Sequence, residues 1–109
     1  MTAPFAVRTD RPSYALIVNP AAGTGAGRAR AETLSRALSA DHRVEVLETR
    51  GRGDAMHLAQ AQGGRFDRVI AIGGDGTLNE VLAGVLKIGT SADTRPGLCL
   101  LYTSPSPRD

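Results

Sequence analysis

Residues Asp67 to Glu80 read DRVIAIGGDGTLNE: a short apolar run, two glycines, an acid, a third glycine, then the start of a helical pattern. Val69 to Ile72 is apolar without alternation, the mark of a strand covered on both faces. Beyond the turn, Leu78, Val81, Leu82 and Val85 recur at i, i+3, i+4 and i+7, which predicts an amphipathic helix ending near Gly89. A strand that passes through a glycine turn directly into a helix is the repeating unit of a parallel sheet with crossover helices.

The same unit recurs twice on the N-terminal side. Tyr14 to Val18 is a buried-strand run stopped by Asn19-Pro20 and followed by a small-residue loop, Ala21 to Gly27. Ala31, Leu34, Ala37 and Leu38 then fall at helical spacing, predicting a helix from about Ala26 to Ala40. Val44 to Glu48 reads as a second strand, and Asp54 as the N-cap of a helix that turns Ala55, Leu58 and Ala59 inward and stops at Gly63-Gly64. With the third strand at Asp67 to Ile72, the expected fold is α/β, a βαβαβα parallel-sheet subdomain. Residues 1–13 are expected to form a flexible N-terminus, Thr90 to Gly97 a polar connector, and Leu98 to Tyr102 the possible start of a fourth strand. Cys99 to Asp109, CLLYTSPSPRD, reads as a foreign tail of the kind adapter read-through leaves on a truncated frame, a natural Ser/Pro-rich tail being the alternative. On the first reading the genuine sequence stops near Leu98.

The chain's 109 residues, 41% hydrophobic with a formal charge of +2, suit one globular unit rather than a disordered segment. Apolar runs such as Ala15 to Val18 fall far short of the roughly 20 residues a membrane-spanning helix needs. Met1 to Asp10 lacks a charged head followed by an apolar core, so a cytoplasmic setting is expected, and the single cysteine, Cys99, agrees with a reducing compartment. Twelve of the 13 basic residues are arginines, scattered among only two Phe and two Tyr, which argues against a nucleic-acid-binding face. His42 and His57 have no second His or Cys at ligand spacing, so both read as ordinary surface or helix residues and no protein metal cluster is expected.

Two glycine-rich turns lie at the carboxyl ends of strands, where open α/β sheets bind ligands. In Gly73-Gly74-Asp75-Gly76-Thr77-Leu78-Asn79-Glu80 the glycines let the backbone approach a polyphosphate, and the amides and positive end of the following helix attract its charge. Thr77 adds a hydroxyl donor. Asp75 is unsuited to a bare phosphate, so within such a turn it would orient a bound metal or a reacting hydroxyl. A purely structural alternative makes Thr77 the helix N-cap and Glu80 the partner that completes a capping box. It accounts for part of Glu80 but not for Gly-Gly-Asp-Gly.

The second turn runs from Asn19 to Gly25, where Pro20 fixes the exit of the chain and Asn19 can hydrogen-bond a nucleotide or brace the neighbouring loop. Gly23, Gly25 and Gly27, with Glu45 or Glu48 downstream, invite comparison with a dinucleotide fingerprint, but Gly27 comes one place early and Arg28 fills the last position. No G-K-[ST] pattern is present either. Thr49 follows the second strand and is placed to touch the same ligand. Arg50 and Arg52 could meet phosphate, although exposed arginines are usually only solvated.

In order and spacing, Asn19-Pro20-x-x-Gly23, then Thr49 with Gly53-Asp54-Ala55, then Gly73 to Glu80 resembles the nucleotide-binding subdomain of the diacylglycerol kinase catalytic family, over about Tyr14 to Leu98. The Gly-Gly-Asp-Gly-Thr element alone is shared with NAD kinases and phosphofructokinases. The resemblance implies ATP contacts at Asn19, Gly23, Thr49 and Gly73 through Glu80, Asp75 as the essential carboxylate, and transfer of the γ-phosphoryl group of MgATP to a lipid hydroxyl such as that of diacylglycerol, giving phosphatidate. It also implies a soluble protein whose contact with the membrane surface runs through a further domain. Two departures stand out. Leu100 to Pro105 does not match the family's next Pro-Leu-Gly-Thr-x-Asn-Asp turn, and the β-rich domain that supplies the general base, part of the metal site and the lipid cleft has no counterpart here, so the chain alone is expected to be inactive. An NAD kinase-like enzyme and a non-catalytic nucleotide-binding module are the alternative expectations.

Overall fold

The computed structural model describes residues 12–20, 25–88 and the backbone of 97–102. Four parallel strands and three helices alternate: β1 (Ser13–Val18), α1 (Ala26–Leu38), β2 (Arg43–Glu48), α2 (Asp54–Gln62), β3 (Arg68–Gly73), α3 (Asp75–Leu86) and β4 (Gly97–Tyr102), with one 3-10 turn at Gly63–Arg65. The sheet order is β2-β1-β3-β4. β4 pairs with β3 over all six residues, from Arg68 opposite Gly97 to Gly73 opposite Tyr102. The boundary expected after Leu98 falls inside this strand. Gly23 and Gly89, most of residues 1–13, and the chain after Tyr102 lie outside the described residues.

Alternation along β1 and β3 divides the core into two layers, because successive strand side chains point to opposite faces. Leu16, Val18, Ile70 and Ile72 pack with Ala31 on α1, flanked by Tyr14, Leu34, Leu38 and Val44. Ala15, Ile17, Val69 and Ala71 pack with Ala55 and Ala59 on α2 and Val81 and Val85 on α3. One crossover therefore covers the first face and two cover the second. Right-handed connections require this arrangement when β1 leads outward to β2 and the chain then returns past β1 to β3 and β4. Leu16, Ile17, Val18, Val69 and Ile72 are fully buried, each worth about 1.5–3 kcal/mol over an exposed position.

Several expected boundaries move. α1 ends at Leu38 rather than Ala40, and Ala37 is exposed. α3 ends at Leu86, and its buried face is Val81, Gly84 and Val85, with Leu82 turned outward at 38% exposure. The reason is Gly84: a Cβ there would lie 2.4 Å from the Met56 carbonyl oxygen and 2.7 Å from Ala59 Cβ, so α3 lies against the backbone of α2 along the Gly84 line. At the amino end of the sheet, Ser13 N–H donates to Asp67 Oδ2 at 2.8 Å while Asp67 N–H donates back to Ser13 Oγ at 3.0 Å, clasping β1 to the approach of β3. His42 is structural, its ring edge-on to Tyr14 at 4.7 Å and its Nδ1 3.1 Å from the Leu38 carbonyl at the end of α1, while His57 is exposed on α2.

Candidate functional site

Topology marks out a candidate ligand edge of this sheet. β1 leads to β2 on one side and β3 leads to β4 on the other, so the crossovers diverge between β1 and β3 and open a crevice above their carboxyl ends. The ladder continues past the strands, with Asn19 N–H donating to the Ile72 carbonyl at 3.1 Å and Thr49 N–H to the Val18 carbonyl at 2.9 Å. Val18 lies opposite both Glu48 and Ile72, so the next residues along, Thr49, Asn19 and Gly73, form a row spanning about 10 Å at ordinary strand spacing. Three positions distant in sequence thereby meet on one edge.

At the β3 end of that row the strand becomes helix without a loop. Gly74, at φ −88° and ψ −170°, is the N-cap, and Asp75 is the first helical residue. This corrects the reading of Thr77 as N-cap. The paired glycines turn the chain so tightly that Thr77 falls inside the first turn, where it is buried against Gly73: a Cβ on Gly73 would stand 2.6 Å from Thr77 Cβ and 2.8 Å from its Oγ1. Gly73 is therefore required by packing. Gly74 and Gly76 are different, because a Cβ on either would meet nothing within 4 Å and neither has a positive φ. What these two glycines leave is bare backbone at the start of α3, half-buried at Gly74 and exposed at Gly76.

Among the described residues no side chain caps α3 and none caps α1, whose N-cap Gly25 has φ +97°. The first-turn amides of both helices thus keep their capacity for an anion on either side of the crevice. Asp75 is exposed and is the one acid in the first turn of α3. Among the described residues no group of three His, Cys, Asp or Glu side chains forms a metal cluster. Leu78 packs against the α2–α3 core layer, so toward the crevice it presents only backbone, and Asn79 is exposed. Glu80 closes no capping box. Its Oε2 accepts a hydrogen bond from Gly53 N–H at 3.0 Å, across 27 residues of sequence.

Around β2 the expected roles also shift. The N-cap of α2 is Gly53, at φ +87°, and Asp54 is the first helical residue; its carboxylate accepts from Arg50 N–H at 2.9 Å, which draws Asp54 into the turn rather than onto the helix amides. Arg50 and Arg52 are exposed. Glu48, with Glu45 one of the two residues near ribose-binding distance in the fingerprint comparison, faces Arg28, with Nε and Oε2 3.3 Å apart. This pair ties the first turn of α1 to the end of β2 and could not be read from the sequence, because nothing local marks two residues 20 apart as partners.

The family model described as "Diacylglycerol kinase catalytic domain" matches residues 13–101. A Chromohalobacter salexigens protein named "Probable lipid kinase YegS-like" is 39% identical over 71 residues, covering 64% of this chain and 22% of that protein. A Bacillus subtilis diacylglycerol kinase is 36% identical over 85 residues, covering 76% of this chain and 27% of the relative. A crystal structure of a diacylglycerol kinase from Bacillus anthracis superposes with a TM-score of 0.72 at 30% identity, covering 89% of this chain and 35% of the other. The chain thus spans about a quarter to a third of the length of these relatives.

Proposed function

The chain belongs to the diacylglycerol kinase catalytic domain family, and on that premise we propose that it is the nucleotide-binding half of an ATP-dependent lipid kinase. The observation that carries this reading is the pair Gly74 and Gly76, glycines that neither backbone conformation nor packing requires, flanking Asp75 at an uncapped helix start beside the β1–β3 crevice. A polyphosphate lying on that turn would take first-turn amides of α3, with the row Asn19 and Thr49 beside it to receive the rest of the nucleotide. Phosphoryl transfer depends on holding donor and acceptor in line and on stabilising charge spread over the phosphate oxygens. Bare backbone at a helix N-terminus serves both needs.

Asp75 is the carboxylate we assign to this turn. Mg²⁺ is commonly held by one or two carboxylates together with substrate phosphates and water, and one exposed aspartate beside a phosphate site fits that pattern. When bound, the ion supplies neutralisation of phosphate charge. Asp75 either orients that ion or receives the hydrogen bond of the lipid hydroxyl whose oxygen attacks the γ-phosphorus as the bond to ADP breaks. The lipid cleft and a general base are assigned to protein beyond this match, and peripheral membrane contact with them.

The test is titration of MgATP into the chain by calorimetry, beside Gly76→Ala. The variant should bind at least tenfold more weakly while folding at least as stably, since Ala is favoured over Gly in a helix by about 0.5–1 kcal/mol. Equal binding by the variant would remove the basis of the reading. In a complete family enzyme carrying this segment, Asp75→Ala should abolish phosphate transfer to diacylglycerol with the fold intact.

A further inference from the structure

Glu80 ends the stretch whose resemblance suggests ATP contacts, yet the geometry turns it away from that edge. It is the sixth residue of α3, about 7.5 Å along the axis from Asp75 at 1.5 Å per residue. It shares a helix face with Gly84, four residues on, and that face meets α2: Gly84 lies against Met56, Ala59 and Gln60, while Glu80 reaches Gly53 at the start of the same helix. The close crossing at Gly84 fixes how far apart the two helices sit, and so holds Glu80 within reach of the Gly53 amide.

The three helix starts make the contrast clear. Each begins after a glycine N-cap that offers no side chain. Among the described residues no side chain reaches the starts of α1 and α3, which flank the crevice, whereas the turn entering α2 receives a carboxylate from another helix. Asp54 makes a different contact, its Oδ2 accepting from Arg50 N–H. A carboxylate here also suits the positive end of α2. The loop it holds, residues 49–53, begins at Thr49, whose amide is fixed to the Val18 carbonyl. Its far end is fixed by Glu80.

We propose that Glu80 is a positioning residue and not a nucleotide ligand: through the Gly53 N–H it latches the β2–α2 loop to α3 and so holds Thr49 in the ligand row. The consequence for Thr49 rests on the nucleotide reading above; the latch itself does not. Glu80→Gln keeps an oxygen acceptor and loses the charge, while Glu80→Ala loses both, so the two variants separate a latch from a contact with phosphate or metal.

Two measurements on the 109-residue chain decide the matter. Amide hydrogen exchange at Gly53, followed by NMR, should quicken about tenfold in Glu80→Ala, as loss of a charge-assisted hydrogen bond implies, and stay within about threefold of the parent in Glu80→Gln. Calorimetric MgATP affinity should fall about fivefold in Glu80→Ala and be restored to within twofold by Glu80→Gln. Unchanged Gly53 exchange in Glu80→Ala would overturn the latch. Equal loss of MgATP affinity in both variants, with Gly53 still protected in Glu80→Gln, would overturn it in favour of direct contact through the charge. A parent chain that binds no MgATP, with Gly53 exchange behaving as expected, would refute the nucleotide reading and leave the latch standing.

Discussion

At Gly73 the space for a side chain is already filled by Thr77, and the nearest obstructing atom is Thr77 Cβ itself, 2.6 Å from where a Cβ would stand. Gly73→Ala should therefore destabilise the fold by about 1–3 kcal/mol, the usual cost of overpacking a close-packed site. Thr77→Ala should not rescue it, because Ala keeps the offending Cβ, whereas Thr77→Gly should recover part of the loss. Urea midpoints of the two double variants provide the check, and rescue by Thr77→Ala would mean that the hydroxyl and methyl, not Cβ, set the contact. Gly76→Ala should behave in the opposite sense, keeping or gaining stability while losing nucleotide. Neighbouring glycines in one motif thus serve different ends, one internal to the fold and two facing outward.

Between elements, the α2–α3 crossing is the feature most exposed to a single added methyl group. Gly84→Ala gains up to about 1 kcal/mol of helix propensity but drives its Cβ to 2.4 Å from the Met56 carbonyl oxygen, a backbone atom that cannot swing aside. The expected net result is destabilisation by about 1–2 kcal/mol, read as a lower urea midpoint with little change in slope; a raised midpoint would show that the helices can part without cost. The existence and order of these elements were legible in the sequence, because runs such as Val69 to Ile72 are short, apolar and followed by glycine turns, and β-α alternation leaves few topologies open. The row of Thr49, Asn19 and Gly73 followed from that order. The start of α1 at Ala26 was legible, but those of α2 and α3 were not: Asp54 and Thr77 have the chemistry of N-caps, yet Gly53 and Gly74 precede the helices, and Glu80 spends its carboxylate on a partner 27 residues away. Sequence-local capping rules cannot see such a partner. The outward turn of Leu82 escaped for the same reason, since Gly84 sets the buried face of α3 through contact with α2.

For the whole molecule, the two core layers are not independent units, because β1 and β3 supply adjacent residues to both. Leu16 faces α1 and Ile17 faces α2 and α3, and both are fully buried. A strand cannot lose its packing on one face and keep its position for the other. Leu16→Ala and Ile17→Ala should each cost about 2–5 kcal/mol, a large share of the ~5–15 kcal/mol total expected for a domain of this size. Each should lower the unfolding midpoint of both layers together. Ile17→Val, at about 0.5–1.5 kcal/mol, gives a milder step should the alanine variants unfold outright. The check is urea titration followed by NMR at the amides of Ala31 on α1 and Val81 on α3. Coincident midpoints in every variant are expected, as two-state unfolding requires. A Leu16→Ala variant in which the Ala31 signal melts first while Val81 keeps the parent midpoint would show that the α2–α3 layer, with the glycine turn and the Glu80–Gly53 contact, holds together without α1.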